Sequence, residues 1–256
     1  MDFKRVHLCR VCGSKRLRKY LDLGRQPLAN QLSDIPVKSK KYPLQVLFCQ
    51  DCHLSQLSIV VNPDILYRKY LYHSSVSETF KKHCHEMAVG LRSLFPDSPA
   101  PMAMDIASND GCLLSQFKKL GFDVMGIEPC QELALEAGRN GIPTINDFWN
   151  EPTAKKAPLC NVITATNVLA HVNDLPTFLR LVKSNLNPST KGIFIAEFPY
   201  LPNLFEGNQF DTIYHEHLSY FLLSPLVQLF SSCGIPIFKV EKYPIHGGSI
   251  RIYASP

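Results

Sequence analysis

Met102-Ala103-Met104-Asp105-Ile106-Ala107-Ser108-Asn109-Asp110-Gly111 is the stretch on which the fold turns. Its first half is a short apolar run of the length of a buried strand. Its second half crowds small and hydrogen-bonding residues into a turn, and a helical pattern then continues through Leu120. The alternation repeats downstream. Phe122 to Ile127 reads as a second strand ending in Glu128-Pro129, Gln131 to Arg139 as a helix, Ile142 to Ile145 as a short third strand and Asn161 to Thr166 as a fourth. A helix from Asp174 to Leu186 leads to a fifth strand, Gly192 to Glu197. Ser224-Pro225 supplies an N-cap and a first-turn proline for a helix stopping at Gly234. Ile235 to Val240 and Ser249 to Tyr253 read as closing strands. The pattern predicts an α/β domain with a mostly parallel sheet, helices on both faces and ligand bound beyond the strand carboxyl ends.

The first turn is informative by what it lacks. A pyrophosphate-binding turn would carry G-x-G-x-x-G, and here only Gly111 is present. Side chains of Ser108, Asn109 and Asp110 suit a ligand with an amino-acid end. Glu128, after the second strand, is placed to accept both hydroxyls of a ribose, or to act as a helix-cap acid. Taken together these features fit S-adenosylmethionine better than NAD. Asp105, Ser108, Asn109, Asp110 and Gly111 would surround the methionine end, and Asp147 or Phe148 would flank adenine.

Upstream, Cys9-Arg10-Val11-Cys12 and Cys49-Gln50-Asp51-Cys52 form two Cys-x-x-Cys knuckles. Four thiolates saturate one tetrahedral ion, which points to a structural zinc; a redox dithiol is the other reading. His53 adjoins the set as an incidental neighbour. Residues 1–66 are expected to form this module and residues 67–100 a linker with an amphipathic helix, leaving 101–256 as the α/β domain. The helix is expected from the capping-box pair Ser75 and Glu78 to about Phe95, with Phe80, Cys84, Met87, Leu91 and Leu94 on its apolar face.

The 256 residues, 45% hydrophobic, suffice for one α/β core plus an appendage. A net charge of +5, with basic residues dispersed apart from Lys15-Arg16-Leu17-Arg18-Lys19, gives no reason to expect a nucleic-acid partner. No apolar run reaches membrane-span length, and Met1 to Leu8 lacks a signal-peptide core. Nine cysteines, the later ones mostly single within apolar segments, favour reduced thiols and a cytoplasmic setting.

Tyr214-His215-Glu216-His217 concentrates titratable groups that are costly to bury unless paired with each other or with a ligand. If helical, Tyr214 and His217 share a face; if extended, Tyr214 aligns with Glu216 and His215 with His217. Either arrangement suits proton transfer. A hydrogen-bonded patch at a domain contact is the bland alternative.

On these blocks the chain resembles the S-adenosylmethionine-dependent nucleotide-sugar C-methyltransferases. The others that carry the likeness are Tyr72 to Ser77, Gly126-Ile127-Glu128-Pro129, Thr166 to Val172, Glu197-Phe198-Pro199 and His246-Gly247-Gly248-Ser249. The resemblance implies a Rossmann-like class I methyltransferase sheet behind a small zinc-binding domain. It implies methylation alpha to the ketone of a nucleotide-linked keto-deoxysugar through a base-generated enolate. His217 would be the base, with Tyr214 at the enolate oxygen and Glu216 orienting an imidazole or binding substrate. His171 would touch substrate, Asn167 cofactor or substrate, and Tyr72 would serve as a lid. His246, before a Gly-Gly pair, reads only as a turn and stays outside the catalytic set. Family members continue past the last strand into a carboxy-terminal domain, so either this chain is a fragment or a separate chain is expected to supply that part. Rival readings are a non-catalytic cofactor-binding chain, a sugar O-methyltransferase and an RNA methyltransferase. The last lacks the Asn/Asp-Pro-Pro-aromatic stretch after the fourth strand.

Overall fold

The computed structural model describes residues 2–32, 35 and 38–256. Its amino-terminal module is made of short strands: β1 (Phe3–Arg5), β2 (Leu17–Gln26), β3 (Tyr42–Cys49), β4 (Ser55–Leu57) and β5 (Ile59–Val61). β2 and β3 are antiparallel with Leu17 opposite Cys49, so the chain leaving the first Cys pair runs beside the entry to the second. β4 extends this sheet, and β1 pairs separately with β5.

α1 (Pro63–Tyr67) and α2 (Glu78–Arg92) follow. α2 is capped two residues later than the expected capping box. Ser77 Oγ accepts the Phe80 N–H at 3.2 Å, whereas Ser75 lies in a 3-10 turn and gives its own N–H to Asp110. The capping position moved because Ser75 is committed to a loop of the next domain. The helix also ends at Arg92 rather than Phe95. Its apolar stripe of Phe80, Cys84, Met87 and Leu91 is buried against Leu113, Leu114 and Phe117, worth roughly 2 kcal/mol per large side chain.

The larger domain contains β6 (Met102–Ile106), α3 (Cys112–Lys119), β7 (Asp123–Ile127), α4 (Gln131–Arg139), β8 (Thr144–Ile145), α5 (Glu151–Lys156) and β9 (Val162–Thr166). It continues with α6 (Leu175–Asn185), β10 (Ile193–Pro199), α7 (Leu201–Glu206), β11 (Ser219–Tyr220), α8 (Leu223–Ser232), β12 (Ile237–Tyr243) and β13 (Ser249–Ala254). Seven strands form one sheet in the order β12-β13-β10-β9-β6-β7-β8. β8, β7, β6, β9 and β10 run parallel; β13 is antiparallel to both β10 and β12, so β12 runs in the same direction as the parallel five and β13 is the one reversed strand. α8 starts at Leu223, so Ser224 and Pro225 both lie inside its first turn and Ser224 is not the cap.

Alternate strand residues face opposite layers. Ala103 and Ile195 meet α2 and α3, while Met104, Ile163 and Phe194 meet α6 and α8. The strand order reverses between β6 and β9, and a crevice opens there at the carboxyl ends. β11 leaves this domain and pairs with β4, Ser219 opposite Gln56, so the amino-terminal sheet takes a strand from the segment just after His217. Among the described residues no helix is long and apolar enough to cross a membrane.

Candidate active site

A cavity of about 1340 Å³ occupies the crevice. One part of its wall comes from the turns after β6, β7 and β8. The turn after β6 carries Ala107, Asn109 and Gly111 with φ of 56°, 54° and 80°, a left-handed path that brings Asn109 N–H onto Glu128 Oε2 at 2.8 Å. Glu128 Oε1 accepts the Cys130 N–H, also at 2.8 Å. Burial pushes the Glu128 carboxyl up, and these two amides oppose that shift. Asp105 is buried, accepts from Thr164 Oγ1 at 2.6 Å and is pushed up to about 7 by burial. Ser108 Oγ is buried without a partner among the described residues. It nests against Gly126, where a Cβ would stand 2.5 Å from it.

Asp105, Ser108, Asn109, Glu128, Asp147, Phe148 and Asn167 all line the cavity, as do Tyr72, His171, Tyr214 and His217. Asp110 and Gly111 do not. The Asp110 carboxylate instead accepts the N–H groups of Ser75 and Cys112, and Asn109 grips the same segment by accepting from Ser74 N–H and donating to the Tyr72 carbonyl. The turn therefore fastens the Tyr72 segment over the crevice, half-exposing the Tyr72 ring at its mouth. Glu216 is also off the cavity wall. It is buried, takes Asn30 Nδ2 at 2.7 Å on one oxygen, has no partner for the other among the described residues, and is pushed up to about 7 by burial. His215 is buried beside the Tyr42 ring, likewise away from the cavity.

Tyr214 and His217 meet across a turn, neither helical nor extended. The Thr212 carbonyl lies 2.8 Å from His217 Nδ1 and can only accept, so the proton of the neutral ring sits on Nδ1. Nε2 then offers its lone pair to the Tyr214 hydroxyl at 3.0 Å. Burial lowers His217 to about 4, with the Thr212 carbonyl opposing it, and raises the Tyr214 phenol well above its ordinary value. At neutral pH this is a bare imidazole base held by a neutral phenol. His171 lies beside it with its ring tilted, 5.2 Å between ring centroids, and is lowered to about 3 by burial first and by His217 second.

Of two further cavity residues, Arg68 went unnoticed in the sequence and His246 was set aside there as a turn residue. Arg68 donates to the Pro129 carbonyl and to Asp147, and its guanidinium lies 4.7 Å from the centre of the Phe148 ring. His246 lines the cavity from the turn before β13. The nearest sequence signal was the Gly247-Gly248 pair, which permits a tight turn but does not say where the preceding side chain points.

The Sγ atoms of Cys9, Cys12, Cys49 and Cys52 all lie within 4.8 Å of one another, with Cys9 to Cys52 at 3.4 Å and Cys12 to Cys49 at 3.6 Å. A tetrahedral zinc with bonds of about 2.3 Å needs sulfurs about 3.8 Å apart, so the donor set and its spacing fit that ion. Gly13 and His53, each in a left-handed conformation, close the two knuckles through N–H bonds to the Cys9 and Cys49 carbonyls. His53 stacks on Phe48 and stays outside the sulfur cluster. Arg10, inside the first knuckle, donates to the carbonyls of Leu57 and Leu218, tying the knuckle to the residue after His217.

Comparison with known proteins agrees with this geometry. Residues 9–67 match a family described as a "putative zinc binding domain", and residues 80–237 match one described as a methyltransferase domain. C-methyltransferase NovU of Streptomyces niveus is 33% identical over 255 residues, 97% of this chain and 60% of that protein, so the chain spans about three fifths of that relative. Among solved structures, magnesium protoporphyrin IX methyltransferase of Synechocystis PCC 6803 with bound SAH aligns at a TM-score of 0.54 and 14% identity, covering 68% of this chain and 82% of that one. A SAM-dependent methyltransferase from Archaeoglobus fulgidus aligns at 0.53 and 14% identity, covering 68% and 94%. At that identity the likeness establishes the class I methyltransferase fold alone. With its methyltransferase-domain match over 158 residues, 80 to 237, this chain belongs to the methyltransferase-domain family and carries a zinc-binding domain ahead of it.

Proposed function

We propose that the chain is an S-adenosylmethionine-dependent C-methyltransferase acting on the carbon next to the ketone of a nucleotide-linked keto-deoxysugar. The observation that carries this reading is the neutral His217 with its proton fixed on Nδ1, opening onto the same cavity as Ser108 and Glu128. Single ligand pockets hold about 300–1,000 Å³, so a cavity of about 1340 Å³ has room for a donor and an acceptor together. The unpartnered Ser108 Oγ and the spare lone pairs of Glu128 fit the cofactor's polar groups.

Asp105, Ser108 and Asn109 would hold the methionine end, with Asp110 and Gly111 shaping the turn. Glu128 would take the ribose, Asp147 and Phe148 the adenine, and Asn167 the junction with the acceptor. Bound there, S-adenosylmethionine supplies an electrophilic methyl group. The chain's own task is to make a carbon nucleophilic and to position it. His217 Nε2 takes the proton alpha to the ketone, and the carbonyl oxygen gains the charge. Tyr214 holds the base's lone pair in the resting site and has to release it before Nε2 takes a proton; the hydroxyl so freed can donate to the enolate oxygen. Glu216, one residue from the base and buried, orients the turn through Asn30. His171 and Tyr72 border the acceptor. The zinc at the four cysteines is structural, since all its ligand positions are filled by protein.

The carbon acceptor is supported by the likeness to NovU and the sugar by the family blocks quoted above. The test is to incubate the protein with S-adenosylmethionine and a nucleotide-linked 4-keto-deoxysugar and to locate the added methyl by NMR. A carbon-bound methyl is expected. An oxygen-bound methyl overturns the enolate chemistry, and cofactor binding without transfer favours a non-catalytic chain.

A further inference from the structure

His246 is held in a conformation that an L residue avoids. Its φ is 50° and ψ 41°, and Gly247 and Gly248 continue with φ of 78° and 112°. Such a run persists only where its surroundings dictate it, and strained positions of this kind concentrate at functional sites. The bracing here is explicit. Gln209 Nε2 donates to the Gly247 carbonyl at 2.6 Å, Tyr200 N–H to the Gly248 carbonyl at 3.1 Å, and Ser249 Oγ to the Ile245 carbonyl at 3.1 Å. A Cβ on Gly248 would stand 2.1 Å from the Asn203 amide, so the glycine pair lets Asn203 and Gln209 close onto the turn.

This effort leaves the imidazole facing the cavity, resting on the Phe80 ring at 6.0 Å between centroids. Neither of its ring nitrogens makes a hydrogen bond to the described residues. His171 and His217 stand side by side on one wall, whereas His246 comes from a different element and does not touch their rings. Its charge state is nonetheless felt at His217. In the resting site the Tyr214 proton is spent on His217 Nε2. Tyr214 has to release that nitrogen before His217 can accept a proton, and an enolate oxygen has two lone pairs, so a second donor can act on it beside the phenol.

Resting on the enolate reading above, we propose that His246 is that donor: its neutral imidazole N–H hydrogen-bonds the acceptor's carbonyl oxygen, across the substrate from His217. In the step served, the alpha C–H bond breaks and its proton goes to His217 Nε2. The released electron pair forms the C=C bond, and the carbonyl π pair moves onto the oxygen. His246 keeps its own proton and lends only the hydrogen bond.

The test uses His246→Gly, because glycine suits the left-handed backbone at least as well as histidine and removes only the donor. Solvent-deuterium incorporation into a nucleotide-linked 4-keto-deoxysugar is followed at saturating acceptor, with S-adenosylhomocysteine affinity measured in parallel. The expected result is exchange slowed about 10²- to 10³-fold at unchanged KM, cofactor affinity within twofold of wild type, and recovery on adding free imidazole. His246→Asn, which also tolerates a left-handed backbone and retains an N–H donor, should fall between the two. A His246→Gly protein that exchanges within threefold of wild type overturns the proposal and leaves the C-methyltransferase reading standing, as does one slowed without any rescue by imidazole. A wild-type protein that binds cofactor and sugar but exchanges nothing removes that reading, and the proposal with it.

Discussion

Glu128→Gln separates a cofactor ligand from a structural cap. Each Glu128 oxygen accepts one backbone N–H at 2.8 Å, from Asn109 and Cys130, and the residue is only 5% exposed. A carboxylate oxygen accepts two hydrogen bonds, so each keeps a lone pair for a ribose hydroxyl. Glutamine of the same shape presents an NH₂ to one of those amides. One buried N–H then loses its partner, which costs about 1–3 kcal/mol of folding stability. The ribose loses one charge-assisted bond outright and keeps a weaker one, about 2–3 kcal/mol of binding, or roughly 30- to 140-fold in Kd. Titration calorimetry with S-adenosylhomocysteine measures the second quantity and urea unfolding the first. Loss of stability with cofactor affinity within threefold of wild type would refute the ribose assignment and leave Glu128 as the cap of the turn. Unchanged stability would refute the reasoning about the amides.

Other consequences follow from the same geometry. Glu197 is fully buried with Arg251 Nε at 2.7 Å on one oxygen and His83 at 2.7 Å on the other, joining β10, β13 and α2. Arg251→Met leaves that carboxylate without its cation and should cost about 3–5 kcal/mol in chemical unfolding; a change below 1 kcal/mol contradicts it. Asp105 is held at about 7 against an ordinary 3.8, so between those values the folded state binds more protons than the unfolded one. Stability should therefore fall as pH rises from about 4 to about 7 and then level off, and Asp105→Asn should flatten that slope; Tm measured across this range reads it. Elemental analysis should find one zinc per chain. Cys49→Ser should lose it and also weaken acceptor binding, because Arg10 of the first knuckle holds the Leu218 carbonyl beside His217. Full acceptor affinity in a zinc-free Cys49→Ser protein would break that link.

The parts of this molecule legible in the sequence are those where one local signal suffices. Met102–Ile106 is the first strand as read, and Gln131–Arg139 is the helix to the residue, because apolar period and flanking turns agree there. α5 and α7 were missed; at six residues each they are too short to display a helical period. Ser75 was misread as a cap because its N–H is claimed by Asp110, a partner 35 residues away. The same limit applies to the site. Its histidines and tyrosines could be named from the Tyr214 to His217 block, but the Thr212 carbonyl that sets the His217 tautomer was not part of that block. Nor could it reveal that Glu216 turns to Asn30, that Arg68 covers Phe148, or that His246 is twisted into the cavity. These depend on left-handed backbone at non-glycine residues and on contacts between distant segments.

The central claim is that His217 removes a proton from carbon. Its most direct test is deuterium wash-in from heavy water, without cofactor, at the carbon beside the ketone of a nucleotide-linked keto-deoxysugar, comparing wild type with His217→Asn. The account predicts exchange by the wild type and a rate at least about 10²-fold lower in the variant. Exchange at the wild-type rate in His217→Asn would contradict it.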